Sequence, residues 1–266
     1  MNQPKIAKDK DKKKISFIIV NFNSGNYTKK CVESIYRNLP SDEFEVIVAD
    51  NDSSDDSTKN LYSFKDKIKL LINDDNHGFA RANNRAASKA SAEYLFFLNS
   101  DTVIKHFDIK ELITKLNKSD VGIVAPKLVL ADGSEQAYAY GEFLDLKNLL
   151  LKRGEREGKK IEWLSGAAIA ISRENFDKVN GFDEDFFMYF EDMDLCKRLA
   201  DIGLGAERLE NSTILHYGGA SLDDGKKRKE LYYNSQDLYI KKHHSLFFSI
   251  CVKILRGLYK FFNKKI

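Results

Sequence analysis

Side chains able to do chemistry gather in a few short stretches of this chain. Three are polar runs that each follow an apolar run: Asn21-Phe22-Asn23, Asp50-Asn51-Asp52 and Asn99-Ser100-Asp101. Carboxylates there can hold a hard cation, and amides or hydroxyls can hydrogen-bond a base edge or a sugar. A fourth run, Glu191-Asp192-Met193-Asp194, sets three acids in four positions at the start of a helical pattern. Acids at a helix N-terminus complement its dipole. Three exceed that need and leave a carboxylate free to take a proton. His216 comes just before Gly218 and Gly219. A neutral imidazole can ligate a divalent metal, and glycines let backbone approach phosphate. Arg81 and Asn84 share a helix face at i, i+3 spacing, within reach of a ribose or a phosphate.

The elements that must position these residues alternate. Continuous apolar runs at 15–21 (ISFIIVN), 44–49 (FEVIVA) and 93–98 (EYLFFL) read as strands buried on both faces. Further strands are expected at 69–73, 121–125, 163–172 and 213–215. Helices are expected at 27–38, 55–64, 79–91, 108–117 and 191–203, and 131–160 reads as a loop with helical pieces. Such alternation predicts an α/β fold, a mostly parallel sheet with helices on both faces. In an open α/β sheet, ligands bind beyond the carboxyl ends of the strands. Three polar turns at that one edge therefore predict a site there.

Composition narrows the function. Apolar residues are 42% and charged residues 31%, which is ordinary for a globular protein. No apolar run reaches the length of a membrane span, and no secretory signal precedes the first strand. Cys31, Cys196 and Cys251 are odd in number and far apart, as reduced thiols of a cytosolic protein would be. The net charge of +3 divides into +4 over 1–14, −10 over 15–224 and +9 over 225–266. An acidic body is a poor match for nucleic acid. It suits a catalytic domain at 15–224, with a basic disordered arm at 1–14 and a basic helical tail at 225–266.

Seven segments in order, covering about 15–222, resemble family 2 glycosyltransferases of the GT-A fold, and most of all their rhamnosyltransferase-like branch. They are 20–23 (VNFN), 48–55 (VADNDSSD), 76–84 (NHGFARANN), 98–101 (LNSD), 163–167 (WLSGA), 181–195 (GFDE through FEDMDL) and 216–221 (HYGGAS). The resemblance implies an inverting, metal-dependent enzyme. It would move a sugar from a nucleotide-diphosphate donor, UDP- or dTDP-linked, to a hydroxyl of a glycan or lipid-linked acceptor in surface polysaccharide synthesis. It assigns Asp101 and His216 to a divalent cation, Mg2+ or Mn2+. Asn99 stands where the family usually has a first acid, which leaves Asp101 as the one carboxylate ligand and turns Asn99 and Ser100 toward ribose or water. By the same analogy Asp192 is the base, with Glu191 its rival. Asp50 and Asn51 would read the pyrimidine, Asn21 and Phe22 would flank base or ribose, and Trp163 to Gly166 would meet donor sugar and acceptor. A nucleotidyltransferase would also use an acid-lined edge and a metal, but the phosphate loop it needs after the first strand is missing. A non-catalytic sugar-binding or scaffold module of the same fold has no use for Asp101, Glu191, Asp192 and His216 together.

The tail carries its own pattern. Apolar residues recur at 247, 250, 251, 254, 255, 258, 261 and 262, with Lys253, Arg256 and Lys260 on the other side. That is a basic amphipathic helix, suited to an anionic bilayer surface at the inner face of the plasma membrane. The alternatives are docking on the catalytic domain or on a second subunit in a homo-oligomer. Upstream, the Lys226–Lys229 run reads as a phosphate-binding loop or a solvated one.

Overall fold

A computed structural model describes residues 13–145, 160–218 and 225–263, with side chains described to residue 257. Most of the basic arm, the middle of the expected 131–160 loop, and Gly219 to Asp224 lie outside the described residues. Eight strands form one sheet in the order β3-β2-β1-β4-β9-β6-β10-β5. The strands are β1 (Ile15–Asn21), β2 (Phe44–Asp50), β3 (Ile68–Ile72), β4 (Tyr94–Asn99), β5 (Thr102–His106), β6 (Val121–Val129), β9 (Ala168–Ser172) and β10 (Gly205–His216). A separate two-stranded piece pairs β7 (Tyr140–Gly141) with β8 (Trp163–Leu164). The first four strands of the sheet, β3, β2, β1 and β4, are parallel. β9 runs antiparallel between β4 and β6, and β5 runs antiparallel to β10 at the edge.

The helices are α1 (Tyr27–Asn38), α2 (Ser57–Leu61), α3 (Phe79–Ala87), α4 (Ile109–Leu116), α5 (Arg173–Lys178), α6 (Glu191–Asp201), α7 (Gly225–His243) and α8 (Leu246–Asn263). Strand alternation sorts them onto two faces. Ile15, Phe17 and Ile19 of β1 pack with Cys31, Val32 and Ile35 of α1, Leu61 of α2 and Leu112 of α4. Ile18 faces the other way, toward Ala82 and Ala86 of α3, Phe176 of α5 and Leu195 of α6. Tyr239 of α7, fully buried, joins this second core. The small side chains of α3 let that helix lie close over β1 and β2. α4 opens on Asp108, whose carboxylate accepts from the N–H groups of Lys110 and Glu111 at 2.9 and 3.1 Å, a capping arrangement that fixes where the helix begins.

Two expected elements change form. The strand read at 163–172 is broken into β8 and β9 at Ser165-Gly166-Ala167, and the helix read at 55–64 ends as a 3-10 turn at Tyr62–Phe64. β5 and α5 were not expected, and β10 is far longer than its apolar end at 213–215 suggested.

The sheet curls. Only Ser100 and Asp101 separate β4, in the middle of the strand order, from β5 at its edge. The edge must therefore return toward the end of β4. It is held there by α1, whose Ser34 hydroxyl accepts from Ile104 N at 2.9 Å, while Asn38 donates to Ile104 O at 3.0 Å.

Candidate active site

Register brings the polar turns together. Asn21 lies beside Asp50, and Val20 beside Asn99, at the carboxyl end of the parallel strands. A cavity of about 840 Å³ opens there. Of the residues singled out in the sequence, Phe22, Asn51, Asn99, Ser100, Asp101, Trp163, Gly166, Glu191, Asp192 and His216 line it.

Asn21, Asp50, Arg81 and Asn84 do not reach it. Asn21 is fully buried, and its amide is spent within the protein: it donates to Asp50 Oδ1 at 2.6 Å and to the hydroxyls of Ser53 and Ser57, and it accepts from Ser24 and Thr28. Asp50 is committed likewise, accepting from Thr58 at 2.9 Å as well. These two side chains knit the ends of β1 and β2 behind the cavity wall. Arg81 and Asn84 do share a face of α3, but that face meets the turn after α5. Arg81 pairs with Glu184 at 2.9 Å, and Asn84 donates to Phe182 O at 2.8 Å and accepts from Phe182 N at 2.9 Å. The turn satisfies both before any ligand could. His77, beside Gly78, pairs with Asp74 at 3.0 Å.

At one end of the cavity, Asn51 is braced by Asn73 (2.6 Å) and donates to Asn76 (3.0 Å) and to Gly78 O (3.2 Å). Gly78 begins α3 with φ +82°, and a Cβ there would lie 2.5 Å from Phe187 O. Only glycine permits that approach. At the centre, β5 pairs with β10 so that Thr102 sits opposite His216. Tyr217 N donates to Asp101 O at 3.0 Å. This backbone pairing sets His216 Nε2 3.1 Å from Asp101 Oδ1. His216 Nδ1 is 2.6 Å from Gln136 Oε1. Both ring nitrogens of His216 therefore face oxygen atoms, Nδ1 an amide and Nε2 a carboxylate.

Helix α6, whose first residues also line the cavity, starts abruptly. Tyr189 and Phe190 both adopt the left-handed region, at φ 71° and 66°. Two consecutive non-glycine residues there are costly and must be held by their surroundings. Phe190 is held by packing on Tyr232 and Tyr239 of α7. The turn delivers Glu191 and Asp192 into the cavity. Asp192 accepts from Gly166 N at 2.8 Å and from Met193 N at 2.7 Å. The break between β8 and β9 is thus what frees Gly166 N to orient Asp192, and a Cβ on Gly166 would lie 3.3 Å from Asp192 Cβ. Glu191 is buried, and its Oε2 has no hydrogen-bond partner among the described residues. Burial, then the charge of Asp192, pushes the Glu191 carboxyl well above the ordinary carboxylate range. Burial raises Asp192 too, against the pull of its two N–H donors. The stronger upward push falls on Glu191.

Asp194, one turn into α6, faces away. It is fully buried and pairs with Arg198 (2.7 Å), Lys242 (2.7 Å) and His243 (2.7 Å). Burial pushes its carboxyl up, but the His243 hydrogen bond, the charge of Arg198 and the Lys242 hydrogen bond outweigh that and hold it below the ordinary range. Lys242 and His243 belong to α7, so Asp194 binds that helix to the body. Ser235 of α7 adds a bond to Met188 O at 2.7 Å. Arg228, Tyr232 and Gln236 of α7 then complete the cavity wall. The Lys226–Lys229 run is the first turn of this helix rather than a loop. Sequence reasoning missed Tyr232, Gln236 and also Gln136 as wall residues. Spacing at i, i+4, i+8 along α7 was the only available signal for the first two.

The chain matches the model of Glycosyl transferase family 2 over residues 16–193. It is 28% identical over 193 residues to the low-salt glycan biosynthesis hexosyltransferase Agl10 of Haloferax volcanii, covering 69% of this chain and 61% of that one. It is 26% identical over 227 residues to the rhamnosyltransferase WbbL of Escherichia coli K12, covering 76% and 83%. Among solved structures it is similar to Staphylococcus aureus TarS 1-349 (TM-score 0.62, 20% identity, 85% of this chain and 64% of that one). It is also similar to the mannosyltransferase PcManGT of Pyrobaculum calidifontis, solved with GDP-Man and Mn2+ (TM-score 0.62, 18% identity, 88% and 66%). These two likenesses show the fold, a GT-A sheet with a helical C-terminal region.

Proposed function

This chain belongs to glycosyl transferase family 2, and from that premise we propose that it transfers a hexose from a nucleotide-diphosphate donor to an acceptor hydroxyl with inversion. The observation that carries this reading is that one cavity is lined both by an oriented carboxylate, Asp192, and by the Asp101–His216 pair. Inversion needs a base on the side of the attacking hydroxyl and stabilisation of charge on the departing diphosphate. Asp192 is the base. Its Gly166 and Met193 hydrogen bonds fix the carboxylate while leaving further lone pairs for the acceptor proton. Glu191, whose carboxyl burial pushes up, lines the same cavity and would donate a hydrogen bond to substrate when protonated. Asn51, Asn76 and Phe22 take the nucleoside end, and Trp163, Gly166 and the α7 stripe take sugar and acceptor.

The residues present fit a divalent cation. An imidazole nitrogen and a carboxylate oxygen, both donor types that a divalent cation accepts, converge to 3.1 Å at the cavity wall. Among the described residues no cluster of three or more His, Cys, Asp or Glu could hold a metal, so Asp101 and His216 would share it with diphosphate oxygens. Bound there, Mg2+ or Mn2+ would neutralise charge on the leaving group. Rhamnose is the first sugar to test, with UDP or dTDP as carrier, because one similar protein is a rhamnosyltransferase. The acceptor is a glycan or lipid-linked glycan of surface polysaccharide synthesis, met at the inner face of the plasma membrane.

The test pairs donor binding with transfer. UDP-, dTDP- and GDP-sugars are screened by thermal shift with Mn2+, then with a chelator. A donor that stabilises the protein only with metal is expected. Asp192→Asn should keep that shift while transfer falls by about 100-fold or more. Undiminished transfer by Asp192→Asn would overturn the assignment of the base, and Glu191→Gln would then be the variant to examine.

A further inference from the structure

Helix α8 presents large apolar side chains outward. Leu246 is 78% exposed, Phe247 68%, Ile250 48% and Ile254 56%. Their spacing by three and four residues sets them along one side of the helix. The opposite side is docked. Phe248 and Val252 pack with Ile240 of α7, and Arg256 binds Asp237 at 2.8 and 3.0 Å, Gln236 at 2.6 Å and the Tyr233 ring at 4.6 Å. The amphipathic stripe read from sequence omitted Phe248 and Val252, the two positions that hold α8 to the body. The helix is therefore held in place with an apolar face turned away from the protein.

Charge selects what meets that face. No acid follows Asp237, whereas Lys241, Lys242, Lys253, Arg256, Lys260, Lys264 and Lys265 do. Lys241 and Lys253 are exposed. A second copy applied through the same face would bring two +9 segments together. An anionic surface would instead be attracted. No helix among the described residues is long and apolar enough to cross a membrane, which leaves a helix lying in the interface.

We propose that Leu246, Phe247, Ile250 and Ile254 of α8 insert into the head-group region of an anionic phospholipid bilayer, with the flanking lysines on the phosphates. The role of this contact rests on the glycosyl-transfer reading: α7, on which α8 packs, carries Arg228, Tyr232 and Gln236 in the cavity wall, so the bilayer and the acceptor side of the cavity share one helical hairpin.

The full chain is sedimented with vesicles of phosphatidylglycerol and phosphatidylcholine, and with phosphatidylcholine alone. Pelleting with the anionic vesicles only is expected, weakening as salt is raised. The double variant Phe247→Ser/Ile250→Ser should lose about tenfold or more in vesicle affinity. Both side chains are exposed, so its melting temperature should match that of the parent. Failure of the parent to pellet, or equal pelleting of parent and variant, overturns the proposal. So does a dimer in light scattering that the double variant dissolves, because a second copy would then cover the face. Donor binding is followed in the same samples. Vesicle binding without any nucleotide-sugar shift would sink the functional reading and leave this one standing; the reverse result would do the opposite.

Discussion

Helix α6 carries two carboxylate regions within one turn, and they are built to opposite ends. Glu191 and Asp192 face a cavity with too few partners, and burial lifts both. Asp194 is met by three partners, Arg198, Lys242 and His243, which depress it despite burial. An underpartnered buried acid costs stability, and a surrounded one holds elements together. The first region keeps a cost that chemistry can use. The second offsets it by clamping the helix that closes the site.

The difference can be broken most forcefully at Asp194. Asp194→Asn leaves Arg198 and Lys242 without their counter-charge and should cost about 3–5 kcal/mol, read from a denaturant midpoint. Because its folded pKa lies below the unfolded value, this stability is present above about pH 4 and is lost as pH falls through the folded pKa. The gap between parent and variant should therefore be constant at neutral pH and close in acid. Asp192→Asn should do the reverse, with transfer down about 100-fold, worth about 2.7 kcal/mol, and the melting temperature nearly unchanged. Its raised pKa also predicts that transfer in the parent falls on the acid side at a pH above about 4. A pH profile that stays flat down to pH 4 would contradict that.

Glu191→Gln sharpens the contrast further. A carboxyl whose folded pKa is raised contributes stability below its unfolded pKa and loses it as pH rises through the folded value. The amide has no charge to lose, so the variant should be more stable than the parent at pH 7, with the gain vanishing near pH 4. The smallest effect is expected at Arg81→Ala. Its pair with Glu184 is 54% and 43% exposed, so stability should move by about 0.5 kcal/mol or less, with donor binding intact.

How far the sequence could see follows from the same contrast. β1, β2 and β4 were legible because strands buried on both faces read as unbroken apolar runs. The turn residues after them were legible because three polar turns at one edge are hard to explain by loop chemistry alone. β5 was not, since Thr102–His106 is a short edge strand whose last two residues are exposed. β10 hid its first half behind Glu207, Arg208 and Glu210, which leave no apolar run to notice. Asp194 could be seen as an acid near the site, but its partners lie 48 and 49 positions away on α7. Arg81 and Asn84 were placed on the correct face of α3, yet nothing local revealed that the 182–184 turn would occupy them.

The passage from β4 to β5 bears on how this chain can vary in length. Surface connections generally accept extra residues at little cost. Ser100 and Asp101 have no such latitude. They join a central strand to an edge strand brought back by the curl of the sheet, and Asp101 is also held by Tyr217 N. One added residue would have to be absorbed by shifting β5 against β10 by a register step. That step would turn Ile104 out of the core and move Thr102 away from His216. Relatives able to tolerate insertions and deletions elsewhere should therefore keep this two-residue spacing intact.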